Sequence, residues 1–225
     1  MAITLAFDVY GTLINTQGVL SLLNDMIGDT AQAFSNTWRE KQLEYSFRRG
    51  LMHNYVPFSL CTQQALDYSC RAHNVALSHD QKFELLKLYK CLPCFDDVNT
   101  GLKSLKVQGY RLFAFSNGEK AIVTKLLTNA GIVKYFEDVV SAEDIKTFKP
   151  NPAVYSHLLD KTGSSTSDTW LVSSNSFDVI GARSFGMHAA WIKRSETAIF
   201  DPWESQPTTI ANDLLDLKTK LASRW

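Results

Sequence analysis

The chain has 225 residues, 45% of them hydrophobic, and its 23 Lys plus Arg balance 23 Asp plus Glu to a formal net charge of zero. This length and apolar content suffice for one large core, or for a core with a smaller inserted domain. The even charge excludes the basic footprint of a nucleic-acid binder, and no apolar run reaches the length of a membrane span. The start lacks a basic region followed by a long apolar stretch, so no secretory signal is expected. Four cysteines, Cys61, Cys70, Cys91 and Cys94, are too sparse for a disulfide scaffold. They are expected as thiols in a reducing cytoplasm.

Ile3-Thr4-Leu5-Ala6-Phe7 reads as a short strand, with Asp8 where it ends and Gly11 allowing a sharp turn. The pattern is then helical for roughly eighty residues. Val19, Leu20, Leu22, Leu23, Met26 and Ile27 mark a first helix. A second, from Ala31 to Phe47, carries Phe34, Trp38 and Tyr45 on a buried face and Arg39, Leu43 and Phe47 in a row four residues apart. A third begins near Cys61, and Ser78 is the N-cap of a fourth. Cys91-Leu92-Pro93-Cys94 follows this helical pattern and not a strand, which argues against a redox motif. The five histidines are scattered and show no metal-ligand spacing.

From about Val98 helices and strands alternate. Strands are expected at Tyr110 to Phe115, Phe136 to Ser141, Thr169 to Val172 and Met187 to Ile192, and a terminal helix from about Ala211. This is the pattern of an α/β protein whose parallel sheet is covered by helices on both faces. Residues 1–14 and 98–225 are therefore expected as the core, and residues 15–97 as an all-helical insertion. Polar residues recur where strands should end: Asp8, Thr12, Ser116, Asn117, Lys149, Ser173, Ser174, Asn175 and Asp178. Parallel strands bring such ends to one edge, and a lysine, hydroxyls and two carboxylates gathered there suit an anionic substrate.

Asp8-Val9-Tyr10-Gly11-Thr12-Leu13, Ser116-Asn117-Gly118, Lys149-Pro150 and Ser173-Ser174-Asn175-Ser176-Phe177-Asp178 resemble the four motifs of the haloacid dehalogenase superfamily. Trp38-Arg39-Glu40-Lys41-Gln42-Leu43-Glu44-Tyr45 is similar to the cap segment of the L-2-haloacid dehalogenases. The resemblance implies a Rossmann-like core with a helical cap. It also implies hydrolytic dehalogenation of short L-2-haloacids through an Asp8 ester, with inversion, no cofactor and no metal. Haloacid and halide are the implied small-molecule partners, and a homodimer is suggested. Asp8, Thr12, Arg39, Lys149, Ser173, Asn175 and Asp178 are the implied catalytic set. Ser116 would hold the substrate carboxylate, with Arg39 and Asn117 toward the halide and Tyr155 bonded to the Lys149–Asp178 network. Tyr10, Leu43, Phe58 and Phe177 match an apolar pocket around the substrate.

Two residues separate this reading from a magnesium-dependent phosphatase. Tyr10 stands where phosphatases of the superfamily carry an acid for an alkoxide leaving group, and halide leaves without a proton. Ser174 stands where magnesium-dependent members carry a carboxylate. A natural substrate without halogen is a further alternative, because a fold does not fix a function. Phe177 and Glu40 depart from the Trp and Gln frequent in the family, which leaves halogen and chain-length preference open.

Overall fold

The computed structural model describes residues 2–223. Thr4–Asp8 forms β1, whose five residues are all buried, as a strand sandwiched between helices requires. Four helices follow: α1 (Leu20–Ile27), α2 (Ala31–Leu51), α3 (Phe58–Ala72) and α4 (His79–Leu88). The remainder alternates: α5 (Val98–Val107), β2 (Arg111–Ser116), α6 (Lys120–Asn129), β3 (Asp138–Ser141), α7 (Pro152–Thr162), β4 (Thr169–Ser173), α8 (Ser176–Ser184), β5 (His188–Ile192), β6 (Thr209–Ala211) and α9 (Leu214–Ala222). The expected first residue 1 and last residues 224 and 225 of the core lie outside the described residues.

The sheet is parallel throughout, in the order β3-β2-β1-β4-β5-β6. Chain order runs outward from β1 in both directions, so the crevice at the switch point opens between β1 and β4. Asp8 ends one of these strands and Ser173 the other. Ser116 ends β2, on the other side of β1, where Asp8 is in register with Phe115. The two sheet faces bury separate clusters. Leu5 and Phe7 pack with α5, α9 and the inserted helices, while Ala6, Phe113 and Phe115 pack with α7 and α8.

The inserted helices hold together through buried polar ties as well as apolar packing. The Trp38 indole N–H of α2 donates to the Thr62 carbonyl of α3 at 2.8 Å. Ser78 caps α4 in a reciprocal box with Gln81, which explains why that helix starts where the sequence places it. The outgoing and returning links run side by side: Ile14 bridges Cys94, Phe95 N–H donates to Leu13 O, and Asn15 N–H to Pro93 O. All four cysteines are free thiols.

One strand departs from expectation. β6 adds to the far edge beside β5, and the terminal helix begins at Leu214 and not at Ala211. Thr209-Ile210-Ala211 is too short to show alternation, so the pairing that makes it a strand is tertiary. No helix among the described residues is long and apolar enough to cross a membrane.

Candidate active site

Asp8 lies at the mouth of the switch-point crevice and is only 7% exposed. Its carboxylate oxygens have unlike surroundings. Oδ2 accepts from Thr12 Oγ1 at 2.8 Å, Ser173 Oγ at 3.2 Å and Asn175 Nδ2 at 2.6 Å. Oδ1 meets Lys149 Nζ at 3.1 Å. Gly11, at φ +87°, turns the chain so that Thr12 faces back to Asp8, a conformation glycine adopts without strain. The turn is fastened to β4's end: Ser174 N–H donates to Thr12 Oγ1 at 2.8 Å, and Ser174 Oγ to Gly11 O at 2.7 Å. Arg194 adds two donors to the Thr12 carbonyl, at 3.0 and 2.7 Å.

Lys149 reaches the cluster from the loop before α7. Its ammonium is 1% exposed and uses all its donors: Asp8 Oδ1, Asp178 Oδ2 at 2.7 Å and the Phe115 carbonyl at 2.9 Å. Burial alone would lower the Lys149 pKa, but the Asp178 and Asp8 charges outweigh it and hold the ammonium above its ordinary range. Asp178 sits in the first turn of α8, where the helix favours a negative charge. Burial nonetheless pushes its carboxyl up to about 6; the Lys149 charge opposes the rise and the Asp8 charge adds to it. Tyr155 on α7 donates to Asp178 Oδ1 at 2.9 Å, and burial raises the phenol well above its usual value. Gly181 on α8 makes room for that phenol, because a Cβ there would overlap Tyr155 OH. Asn117 positions the loop, its Oδ1 accepting the Lys149 backbone N–H at 2.8 Å. Ser116 Oγ accepts from Gly118 N–H at 3.0 Å and keeps its own proton to donate.

Arg39 arrives from α2. Its Nη2 donates to the Tyr10 carbonyl at 3.1 Å and to Asn175 Oδ1 at 3.4 Å, and its Nη1 to Gln42 Oε1 at 2.7 Å. The neighbouring Glu40 points away and is exposed. The Tyr10 ring stacks on Tyr89 with centroids 5.7 Å apart and lies 5.9 Å from Phe58. Burial, more than the nearby Tyr89 and Glu119, raises its phenol far above the usual range. Tyr10 therefore offers an aromatic face and no ready proton.

Every expected catalytic residue falls in this one cluster, but the four expected apolar residues do not line a single pocket. Tyr10 and Phe58 line a cavity of about 30 Å³ with Thr62, Tyr89 and Glu119. Phe177 stands against Phe47, 4.9 Å between centroids, on a larger cavity of about 540 Å³ that Lys149 also borders. Leu43, half-buried on α2, lines neither. The row from Arg39 to Phe47 climbs roughly 12 Å along the helix, too far for both ends to serve one small ligand. The sequence reading missed Gln42, Tyr89 and Arg194. Gln42 carries a signal, three residues beyond Arg39 on the same helix; the other two are brought in only by tertiary packing.

The donor set does not fit magnesium, which many proteins of this fold family use. Lys149 occupies one oxygen of each of Asp8 and Asp178, and Ser174 offers a hydroxyl already given to Gly11. Among the described residues no group of three His, Cys, Asp or Glu stands together as a metal site.

A carboxylate at the end of the first strand, a buried lysine between it and a second carboxylate, and an inserted helical arm point to a class of hydrolase. The chain belongs to the haloacid dehalogenase-like hydrolase family, whose model matches residues 4–186. It is 32% identical over 219 residues to an (S)-2-haloacid dehalogenase of Pseudomonas putida, covering 97% of this chain and 96% of that protein. It is 34% identical over 215 residues to (S)-2-haloacid dehalogenase 2 of Pseudomonas sp. strain CBS-3, covering 96% and 93%. Among solved structures, the L-2-haloacid dehalogenase of Xanthobacter autotrophicus with chloropropionic acid covalently bound superposes at a TM-score of 0.90. Its sequence is 26% identical, with all of both chains covered.

Proposed function

We propose that the chain is an (S)-2-haloacid dehalogenase, converting short L-2-haloalkanoic acids to (R)-2-hydroxy acids through an ester on Asp8, without metal. The observation that carries this is the unequal treatment of the two Asp8 oxygens. Oδ2 is held by three donors, while Oδ1 meets only Lys149 and has a lone pair left to attack. Oδ1 displaces halide from C2 from behind, so the C–O bond forms as the C–halogen bond breaks and the centre inverts. Water then attacks the Asp8 carboxyl carbon; its proton passes to Asp178, and the departing oxygen of the product is protonated in turn. Asp178, at about 6, is charged at neutral pH and able to take that proton.

Ser116, with its free hydroxyl proton, holds the substrate carboxylate. Arg39, with Asn117 beside the lysine loop, draws the leaving halide. Tyr10 and Phe58 face the substrate's apolar part, and the Phe177 cavity offers room for a longer one. In this reading residues 15–97 act as a cap over a core of 1–14 and 98–225, and Arg39 is the cap's contribution. Free thiols suit a cytoplasmic enzyme. A homodimer is part of this reading, with the aromatic-rich inserted helices as the region that would supply its contact.

Halide release from L- and D-2-chloropropionate in the presence of EDTA tests the reading. Release from the L acid only, with (R)-lactate formed, is expected. No release, together with magnesium-dependent hydrolysis of phosphate esters, overturns it. Mass spectrometry of enzyme mixed with substrate is expected to show a modified Asp8 peptide.

A further inference from the structure

Within the inserted helices lies a buried polar hub that the chemistry above does not use. Gln42 is 1% exposed on α2, and its carboxamide has partners on both ends. Oε1 accepts from Arg39 Nη1 at 2.7 Å and from Tyr89 OH at 3.0 Å. Nε2 donates to Thr62 Oγ1 at 2.6 Å. Thr62 has already given its hydroxyl proton to the Phe58 carbonyl at 3.0 Å, so its oxygen can only accept. Tyr89, also buried, supplies a proton and needs an acceptor. These neighbours fix which way the amide faces: nitrogen to Thr62, oxygen to Arg39. A flip would set donor against donor at Arg39 and acceptor against acceptor at Thr62.

The anchor is neutral, and so are the other groups that hold Arg39, the Tyr10 carbonyl and Asn175 Oδ1. The guanidinium is aimed from two sides without a carboxylate to neutralise it. A half-buried cation so held keeps its field for an arriving anion. We propose that Gln42 is the positioning residue for Arg39, fixing the guanidinium toward the departing halide while leaving its charge unpaired. The inference rests on the dehalogenase reading and on Arg39's place in it.

The experiment compares Gln42→Met, which removes the anchor, with Gln42→Glu, which keeps an acceptor but adds a charge that neutralises Arg39. Tyr89→Phe, a shape-conserving change that frees one lone pair of the amide, serves as the milder variant should Gln42→Met fail to fold. Single-turnover ester formation, steady-state kcat and KM, and inhibition by added bromide are measured for each. Gln42→Met and Gln42→Glu are each expected to slow ester formation about tenfold or more, with KM for L-2-chloropropionate moving less than about threefold. Bromide inhibition weakens by about tenfold in Gln42→Glu, and Tyr89→Phe shows the same pattern at about threefold. In an Arg39→Met background, Gln42→Met is expected to add nothing, because the two act through one group. Wild-type protein that releases no halide overturns the parent reading and this inference with it. Halide release by the wild type with unchanged ester formation and bromide inhibition in the Gln42 and Tyr89 variants overturns this inference alone. So does a full additional loss from Gln42→Met in the Arg39→Met background.

Discussion

The site contains two cations that are held in opposite ways. Lys149, in the core, is sealed between Asp8 and Asp178, and each of its donors is taken. Arg39, from the helical arm, touches only neutral oxygens: a backbone carbonyl and the amides of Asn175 and Gln42. Both charges lie close to Asp8, yet the first is committed to carboxylates and the second is not. A paired cation organises the groups that react; an unpaired one is free to meet a new anion. The fold supplies the first from strand ends and loops of the sheet, and the second from a helix reached through two antiparallel links.

Removing the committed cation is expected to do the greater damage. Lys149→Met leaves Asp178 and Asp8 buried without their counter-ion, a loss on the order of 3–5 kcal/mol by chemical denaturation. Halide release is expected to fall about a thousandfold or more, since both carboxylates of the proposed mechanism lose their shared partner. Arg39→Met breaks the comparison at its other end. Activity is expected to drop about a hundredfold with stability changed by less than about 1 kcal/mol, because no buried carboxylate is orphaned. If both variants lost stability equally, the distinction between the cations would be void.

Much of this was legible in the sequence. Asp8, Ser116 and Ser173 end strands, Lys149 lies in a loop beyond β3 and Asp178 in the first helical turn after β4, and a parallel sheet brings such positions to one edge whatever its details. Thr12 and Asn175 follow from the same local spacing. Gln42, Tyr89 and Thr62 were not legible as a group, since their partnership spans three helices and depends on packing between them. β6 escaped because three residues carry too little pattern. The four residues expected around one apolar pocket divide for a geometric reason: Tyr10 and Phe58 line one cavity, whereas Phe177 lines another beside Phe47, two helical turns beyond Arg39 on α2.

The committed cluster also makes a prediction about pH, and its sign is unusual. The Asp178 carboxyl stands at about 6 in the folded protein, against about 3.9 for an unfolded aspartate. The folded chain therefore binds more protons across that window, and this group's contribution to stability declines as pH rises from about 4 to about 6. Activity should run the other way, because in the proposed mechanism the ionised form of Asp178 takes the proton from water. The rate of ester hydrolysis is expected to fall with an acid limb near pH 6. Thermal unfolding of Asp178→Asn relative to wild type, followed over the same window, isolates the opposite trend in stability.

The smallest expected effect sharpens this further. Tyr155 donates to Asp178 Oδ1, and that bond favours the charged form, partly opposing burial. Tyr155→Phe removes the donor while keeping the ring that packs on Phe115 and Phe185. The Asp178 carboxyl should then rise further, and the acid limb should move to higher pH by up to about one unit. At pH 8, above both positions of the limb, most of the loss is restored, leaving a rate within about threefold of wild type. A Tyr155 that merely packs would leave the limb where it is and lower the rate equally at every pH. Gly181→Ala, which drives a methyl against the phenol, should shift the limb in the same direction if the bond, and not the ring, is what matters.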